Sequence, residues 1–255
     1  MGRMARVSPL KVRVFDACRL RFRYQYVDKD EGRVKPRLRP ADTAGSLVHR
    51  VLCDFFTKVP ENERSHDRLL DMFRDGWQAL TPNYHRIAGV EKHYEASLHQ
   101  LNNFTTKFDI DAHPFMVEPY FQEEVEPGVT LFGRLDRLDE EPDGTLQIID
   151  YKTGTQPEEI DPKQLIFYAL LVEAKLHRSV SKASFWYLDD GSTWTTDFAD
   201  EDKRRAREEL LATVQAMEDV NEFPPTIAPH CAFCPYLKVC DFRNEIAETR
   251  AREGW

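Results

Sequence analysis

Ile148-Ile149-Asp150-Tyr151-Lys152-Thr153-Gly154 is the stretch on which the reading of this chain turns. Its β-branched and aromatic residues, closed by Thr-Gly, mark a strand. Side chains alternate along a strand, so Asp150 and Lys152 leave one face while Ile149 and Tyr151 leave the other. A carboxylate and an ammonium are thereby set side by side. Just upstream, Gly133-Arg134-Leu135-Asp136-Arg137-Leu138-Asp139 has the same strand character, and the turn Pro142-Asp143-Gly144 lies between the two runs. If they pair across that turn, Asp136 comes within a couple of pairing positions of Asp150, and two carboxylates can hold one divalent ion. Spacing alone leaves a plainer reading open, a surface ion pair between Asp150 and Lys152 with Asp136 paired to Arg134 or Arg137.

Working outward, residues 115–126, 129–139 and 145–152 predict a three-stranded antiparallel meander joined by Pro127-Gly128 and Pro142-Asp143-Gly144. Asp161-Pro162 then opens a helix through Leu176 with Leu165, Tyr168, Ala169 and Val172 inward. On it Gln164 and Tyr168, four apart, share one side. Strands near 183–188 and 193–198 and a charged helix over about 200–220 follow. Before the meander, Ser8-Pro9 caps a helix in which Leu10, Val14, Cys18, Phe22 and Tyr26 recur every fourth residue, which puts Cys18 on a helix. Residues 28–40, broken by Gly32, Pro36 and Pro40, read as an exposed connection. A second helix from near Thr43 presents Val48, Val51, Leu52 and Phe55 on one face and carries His49. Gly45, one turn before that histidine, lets the helix lie close to another backbone. Residues 62–109 read as a helical insertion that no motif assigns to a function.

The chain has 255 residues, 41% hydrophobic and 31% charged, which suits one globular domain with an accessory lobe. It divides into a basic N-terminal helix and arm (1–40), the insertion (62–109), a core sheet and helix (110–198) and a cysteine-bearing tail (221–255). No apolar run approaches the roughly 20 residues of a spanning helix, and the first ten residues lack a signal-peptide stretch, so a cytoplasmic protein with no membrane contact is expected. The net charge of −9 hides an asymmetry: residues 1–40 carry twelve Lys or Arg against four Asp or Glu, a local +8 that leaves −17 on the rest. Such an arm can bind phosphates or simply solubilise. Phe22, Tyr24 and Tyr26 interleave with Arg19, Arg21, Arg23 and Lys29, a pattern that offers base stacking beside backbone contacts. No GxxxxGK[S/T] stretch is present, so any motor must come from another protein.

Two carboxylates on paired strands beside a lysine suit metal-assisted phosphodiester hydrolysis, the ion neutralising phosphate charge and the lysine orienting a water or stabilising the transition state. The ordered set GxxxH at Gly45 to His49, GxxD at Gly133 to Asp136, DYK at Asp150 to Lys152 and QxxxY at Gln164 to Tyr168 resembles the RecB-like branch of the PD-(D/E)XK nucleases across about half the chain. The resemblance implies a restriction-endonuclease-like α/β (α+β) core, a small mixed sheet flanked by helices. It implies that His49, Asp136 and Asp150 ligate Mg²⁺ or Mn²⁺, with the Tyr151 carbonyl as a further ligand. Lys152 then becomes the catalytic lysine, supported by Gln164 and Tyr168. Glu124 is a weaker candidate for an accessory acid. The activity implied is a DNA exonuclease preferring single strands or ends, in repair, recombination or end processing, with DNA and a helicase or other repair protein as partners.

Cys231, Cys234 and Cys240 form a CxxC-x5-C tail, and a fourth ligand is available in Cys18. Spacing permits zinc or a [4Fe-4S] cluster. The resemblance to the AddB type and the CRISPR adaptation exonucleases, which carry one N-terminal and three C-terminal cysteines, implies the cluster, stapling the two ends of the domain together. Cys53, on an apolar helix, reads as a buried free thiol. The competing readings are a non-catalytic iron–sulfur subunit that binds DNA or a helicase, and a zinc-stapled nuclease.

Overall fold

The computed structural model describes residues 5–28 and 40–255. Most of the exposed connection expected over 28–40, with Lys29, lies outside them. The meander proves to be two sheets rather than one. β1 (Ala5–Val7), β3 (Tyr120–Glu126) and β4 (Val129–Arg134) form one sheet in the order β1-β4-β3, with β1 parallel to β4. β2 (Met116–Val117), β5 (Arg137–Glu140), β6 (Leu146–Lys152), β7 (Val180–Tyr187) and β8 (Ser192–Asp197) form the other in that order. Here β6 and β7 alone run parallel, because α7 (Lys163–Leu176) crosses between them. Each of the first two expected strands is therefore broken, at Glu118-Pro119 and at Leu135-Asp136, where the chain passes from one sheet to the other. Backbone bonds Glu118 N–H to Asp136 O at 2.8 Å and Leu135 N–H to Pro119 O at 3.1 Å close the seam. Glu118 adopts a left-handed φ of 52°, a conformation a non-glycine residue holds only where its surroundings enforce it.

Two apolar cores meet along β6. Ile148 packs with Leu165, Ala169 and Val172 of α7 and with Leu131 of β4. On the opposite face, Ile149 and Tyr151 enter a helical core built by α3 (Pro40–Lys58), α4 (His66–Gln78) and α6 (Glu91–Lys107). The short helix α5 (Pro82–His85) joins the last two. Fully burying one such Leu, Ile or Phe contributes roughly 1.5–3 kcal/mol, so both faces of β6 are held by substantial terms. Arg137 is buried in the helical core, paired with Asp139 at 2.6 Å through two bonds and flanked by the rings of Phe56 and Trp186. α8 (Asp200–Asp219) is fastened to α7 by the buried Lys203, which donates to Glu173 at 2.7 Å.

The N-terminal helix differs from its fourfold periodicity. α1 (Pro9–Ala17) begins as the sequence implies, with Ser8 Oγ accepting from Lys11 N–H at 3.3 Å and proline in the first turn. It stops at Cys18, whose backbone is extended (φ −166°, ψ 116°), and α2 (Arg19–Phe22) restarts with the Cys18 sulfur as its cap. Cys18 thus occupies a break between helices rather than a helix interior. Phe22 is buried against Phe15 and Tyr26, while Tyr24 is buried against Tyr236 and donates to Asp241 at 3.2 Å. The rings of Phe22 and Tyr24 are packing elements and present no face to a base. After β8 and α8 the chain returns to this region, and α9 (Arg243–Glu253) closes it.

Candidate metal centre and cysteine pocket

The centre forms where the sheets part. In β5 and β6, Arg137 pairs with Ile149, which sets the preceding residue, Asp136, opposite Asp150. Asp136 holds both of its oxygens in place: Oδ1 lies 2.9 Å from His49 Nδ1, and Oδ2 accepts the Tyr151 backbone N–H at 2.7 Å. Asp150 and Lys152 leave one face of β6, and Lys152 Nζ sits 2.6 Å from Asp150 Oδ2. Gln164, on the first turn of α7, bridges the pair. Its Nε2 donates to Asp150 Oδ1 at 2.9 Å and its Oε1 accepts from Lys152 Nζ at 2.8 Å.

Two glycines show why the local sequence is what it is. A Cβ on Gly45 would meet Thr153 Oγ1 at 3.0 Å, so the approach it permits is to a side chain just past Lys152 rather than to a backbone. A Cβ on Gly133 would meet Tyr168 Cε1 at 2.8 Å. Tyr168 is buried there and donates its hydroxyl to Arg134 O at 2.8 Å, bracing the strand end that leads into Asp136.

Among the described residues, the set of three or more potential ligand atoms lying within 4.8 Å of one another is His49, Glu118 and Asp136. Glu118 was not singled out in the sequence. Glu124, which was, pairs with Thr130 and accepts from Gly128 N–H at 2.8 Å, capping the β3–β4 turn. The register explains the difference: Phe121 lies opposite Gly133, so Glu124 falls beyond the centre, whereas the seam sets Glu118 against Asp136. A carboxylate preceding proline at the end of a short apolar strand was the available signal.

The electrostatics show a centre overloaded with negative charge. Burial, reinforced by Asp136, raises the Asp150 carboxyl to about 6 despite Lys152 beside it. Burial and Asp136 also raise Glu118. Burial alone would lower His49, but Asp136 outweighs it and the imidazole is raised. Burial and the crowding of Asp136, Asp150 and Glu118 are the common causes. Cys53 is half-buried on the cleft wall rather than in the core, its thiol raised by burial and by Glu118.

Beyond α1, Cys18, Cys231, Cys234 and Cys240 line one small pocket with Leu20 and Tyr236. Burial raises the Cys234 and Cys240 thiols, with the other cysteines adding to it. Two buried nitrogens lining this pocket, Arg21 Nε and His230 Nε2, have no hydrogen-bond partner among the described residues. Unpaired polar atoms cost about 1–3 kcal/mol each when buried.

The model of the PD-(D/E)XK nuclease superfamily matches residues 6–241, and the chain belongs to that superfamily, with whose fold the two helix-flanked sheets agree. Among solved structures, the chain is similar to an exonuclease candidate from Eubacterium rectale, at 13% identity and a TM-score of 0.51, over 91% of this chain and 87% of that one. It also resembles the protein SSO0001 at 16% identity and a TM-score of 0.36, over 77% of this chain and 95% of that one. No curated protein matches it. Among the described residues, no helix is long and apolar enough to cross a membrane.

Proposed function

We propose that this chain is a Mg²⁺- or Mn²⁺-dependent deoxyribonuclease, an exonuclease acting on single strands or ends in DNA repair, recombination or end processing in the cytoplasm. The observation that carries the reading is the convergence of His49, Glu118, Asp136 and Asp150 at one seam, with Lys152 held against Asp150. Their donor set, one imidazole and hard carboxylate oxygens, suits such an ion, and the raised carboxylates are what its charge would relieve. His49, Glu118 and Asp136 would hold it, with Asp150 and the Tyr151 carbonyl alongside. When bound, the ion supplies Lewis acidity toward phosphate oxygens and lowers the pKa of water.

The chain's own groups do the remainder. Lys152 presents ammonium protons to the phosphate or to the attacking water, and Gln164 fixes both its position and that of Asp150. Tyr151 N–H keeps one Asp136 oxygen turned into the seam. Tyr168 braces the strand that delivers Asp136.

The same proposal places a [4Fe-4S] cluster on Cys18, Cys231, Cys234 and Cys240. What supports a bound group there is that the four cysteines, from both ends of the described chain, line one pocket, and the choice of a cluster over a single zinc follows the family resemblance.

The deciding experiment is cleavage of end-labelled single- and double-stranded DNA with Mg²⁺ or Mn²⁺ by anaerobically purified protein, beside Lys152→Ala and Asp136→Ala. Wild-type cleavage reduced by roughly 10²–10⁴-fold in both variants supports the enzyme. A folded, iron-loaded wild type that cleaves nothing transfers the weight to a non-catalytic DNA- or helicase-binding subunit.

A further inference from the structure

The insertion that the motifs leave without a role is bolted to the catalytic sheet. Along one side of α6, His99 Nε2 lies 2.9 Å from Asp189 O, Gln100 Nε2 donates to Asp189 Oδ1 at 2.6 Å, and Asn103 Nδ2 donates to the carbonyls of Leu188 and Asp189 at 3.0 and 2.7 Å. Leu188 N–H in turn donates to Lys152 O at 2.9 Å. The helix is therefore tied, through two consecutive residues, to the strand end that bears the lysine. Gln100 is buried in this clamp, so α6 is fixed relative to the centre.

The N-terminal half of α6 forms one wall of a cleft of about 920 Å³, α3 forms the other, and His49, Glu118 and Asp136 lie within it. The walls are cut low by small residues, Ala44 and Gly45 on α3 and Ala96 and Ser97 on α6. Arg50 from α3 and His93 from α6 line it, as do Arg134, the clamped Gln100 and the acids Asp42 and Asp189. Neither the Arg50 nor the His93 side chain has a hydrogen-bond or ion-pair partner among the described residues. The other cations at the centre are engaged: Lys152 with Asp150 at 2.6 Å, and Arg134 with Glu118 at 3.7 Å. Arg50 follows His49 directly, so on a helix it projects about 100° away, toward the neighbouring stretch of the cleft rather than the centre itself.

We propose that the α3–α6 cleft is the groove that takes an extended single strand, and that Arg50 and His93 bind from opposite walls the phosphates flanking the one at the centre. The assignment rests on the nuclease reading. It gives the insertion a task, holding one wall at a fixed distance from Lys152, and makes Arg50 and His93 positioning residues. An acidic centre repels a polyanion, and an unpaired guanidinium one residue from a metal ligand offsets that where the backbone runs on.

The test is binding of a fluorescent single-stranded oligonucleotide to full-length protein with Mg²⁺, in a Lys152→Ala background to block turnover, across a salt series. Arg50→Ala weakens binding about tenfold and lowers the slope of log affinity against log salt by about 0.7, one phosphate contact on a single strand. Arg50→Lys restores the slope. His93→Ala weakens binding less, and adds to Arg50→Ala. In the active protein, Arg50→Ala raises KM while leaving kcat nearly unchanged. Arg50 is exposed, so a folding defect is not the expected effect. An active wild type whose Arg50 and His93 variants match it in affinity, salt slope and KM overturns the groove alone. A wild type that binds through Arg50 but cleaves nothing overturns the nuclease reading and upholds the groove.

Discussion

The seam and the cysteine pocket are both assembled from residues far apart in sequence, yet they differ in how their polar groups are paired among the described residues. At the seam, Asp136 commits both oxygens to protein partners, and Asp150, Lys152 and Gln164 form a closed set. In the pocket, Arg21 Nε and His230 Nε2 are buried with no partner among the described residues, and the Cys234 and Cys240 thiols are raised by burial. The seam is a preformed site that sheet register builds from within. The pocket joins the N-terminal helices to the tail around a small apolar core of its own, with Leu20, Tyr24, Tyr236 and Ile246 beside the cysteines, and under the proposed function a group held by the cysteines would add to that joint.

That contrast breaks most visibly at a cysteine. Under the proposed [4Fe-4S] reading, Cys234→Ala should reduce bound iron from about four atoms per chain to near zero. It should also destabilise the fold by roughly 3–5 kcal/mol, the scale of the loop entropy released when a long closed loop opens. That corresponds to a fall in thermal midpoint on the order of 10 °C for a chain of this size, read by circular dichroism. Chelating the seam ion from wild type with EDTA should abolish cleavage while moving the midpoint far less. A Cys234→Ala protein that melts with wild type would show the pocket to be as self-sufficient as the seam. One zinc and no iron in anaerobically purified wild type would replace the cluster with a single ion.

A second test sharpens the contrast inside the seam. Glu118→Gln should raise the Mg²⁺ or Mn²⁺ concentration needed for half-maximal cleavage by about 10–100-fold, the usual scale for disturbing a ligand set. Glu124→Gln, which alters only a turn cap, should leave it where it was. Equal effects from the two would remove Glu118 from the centre.

These two glutamates also show what the sequence could convey. Asp150 and Lys152 were readable as same-face neighbours because strand alternation is a local rule, and Asp136 because a short turn separates the two runs. The PD-(D/E)XK fold followed from four motifs in order, and the family match agrees with it. Glu118 was hidden because its role depends on a left-handed kink where the chain changes sheets, and alternation is blind to such a break. The same blindness ran Cys18 into a continuous helix, although its extended backbone is what turns the sulfur toward the tail. The rings among the N-terminal arginines looked like a stacking platform because composition carries no burial, and two of the three are core. Gly45 and Gly133 were legible as parts of motifs, but their reason, the volumes of Thr153 and Tyr168, is visible only in three dimensions.

The smallest effect concerns Tyr168, which the sequence set beside Gln164 in support of Lys152. Its ring closes over Gly133 and its hydroxyl reaches the Arg134 carbonyl, so its work lies behind the seam. Tyr168→Phe keeps the ring and removes one buried hydrogen bond, a cost of about 1 kcal/mol in denaturant unfolding. Because Asp136 is also held by His49 and Tyr151 N–H, the centre should stay assembled, with KM for single-stranded DNA unchanged and kcat reduced at most severalfold. A large rise in KM with wild-type stability would move Tyr168 from the brace to the substrate. The seam would then extend past Arg134, to a tyrosine whose hydroxyl serves the substrate rather than the strand.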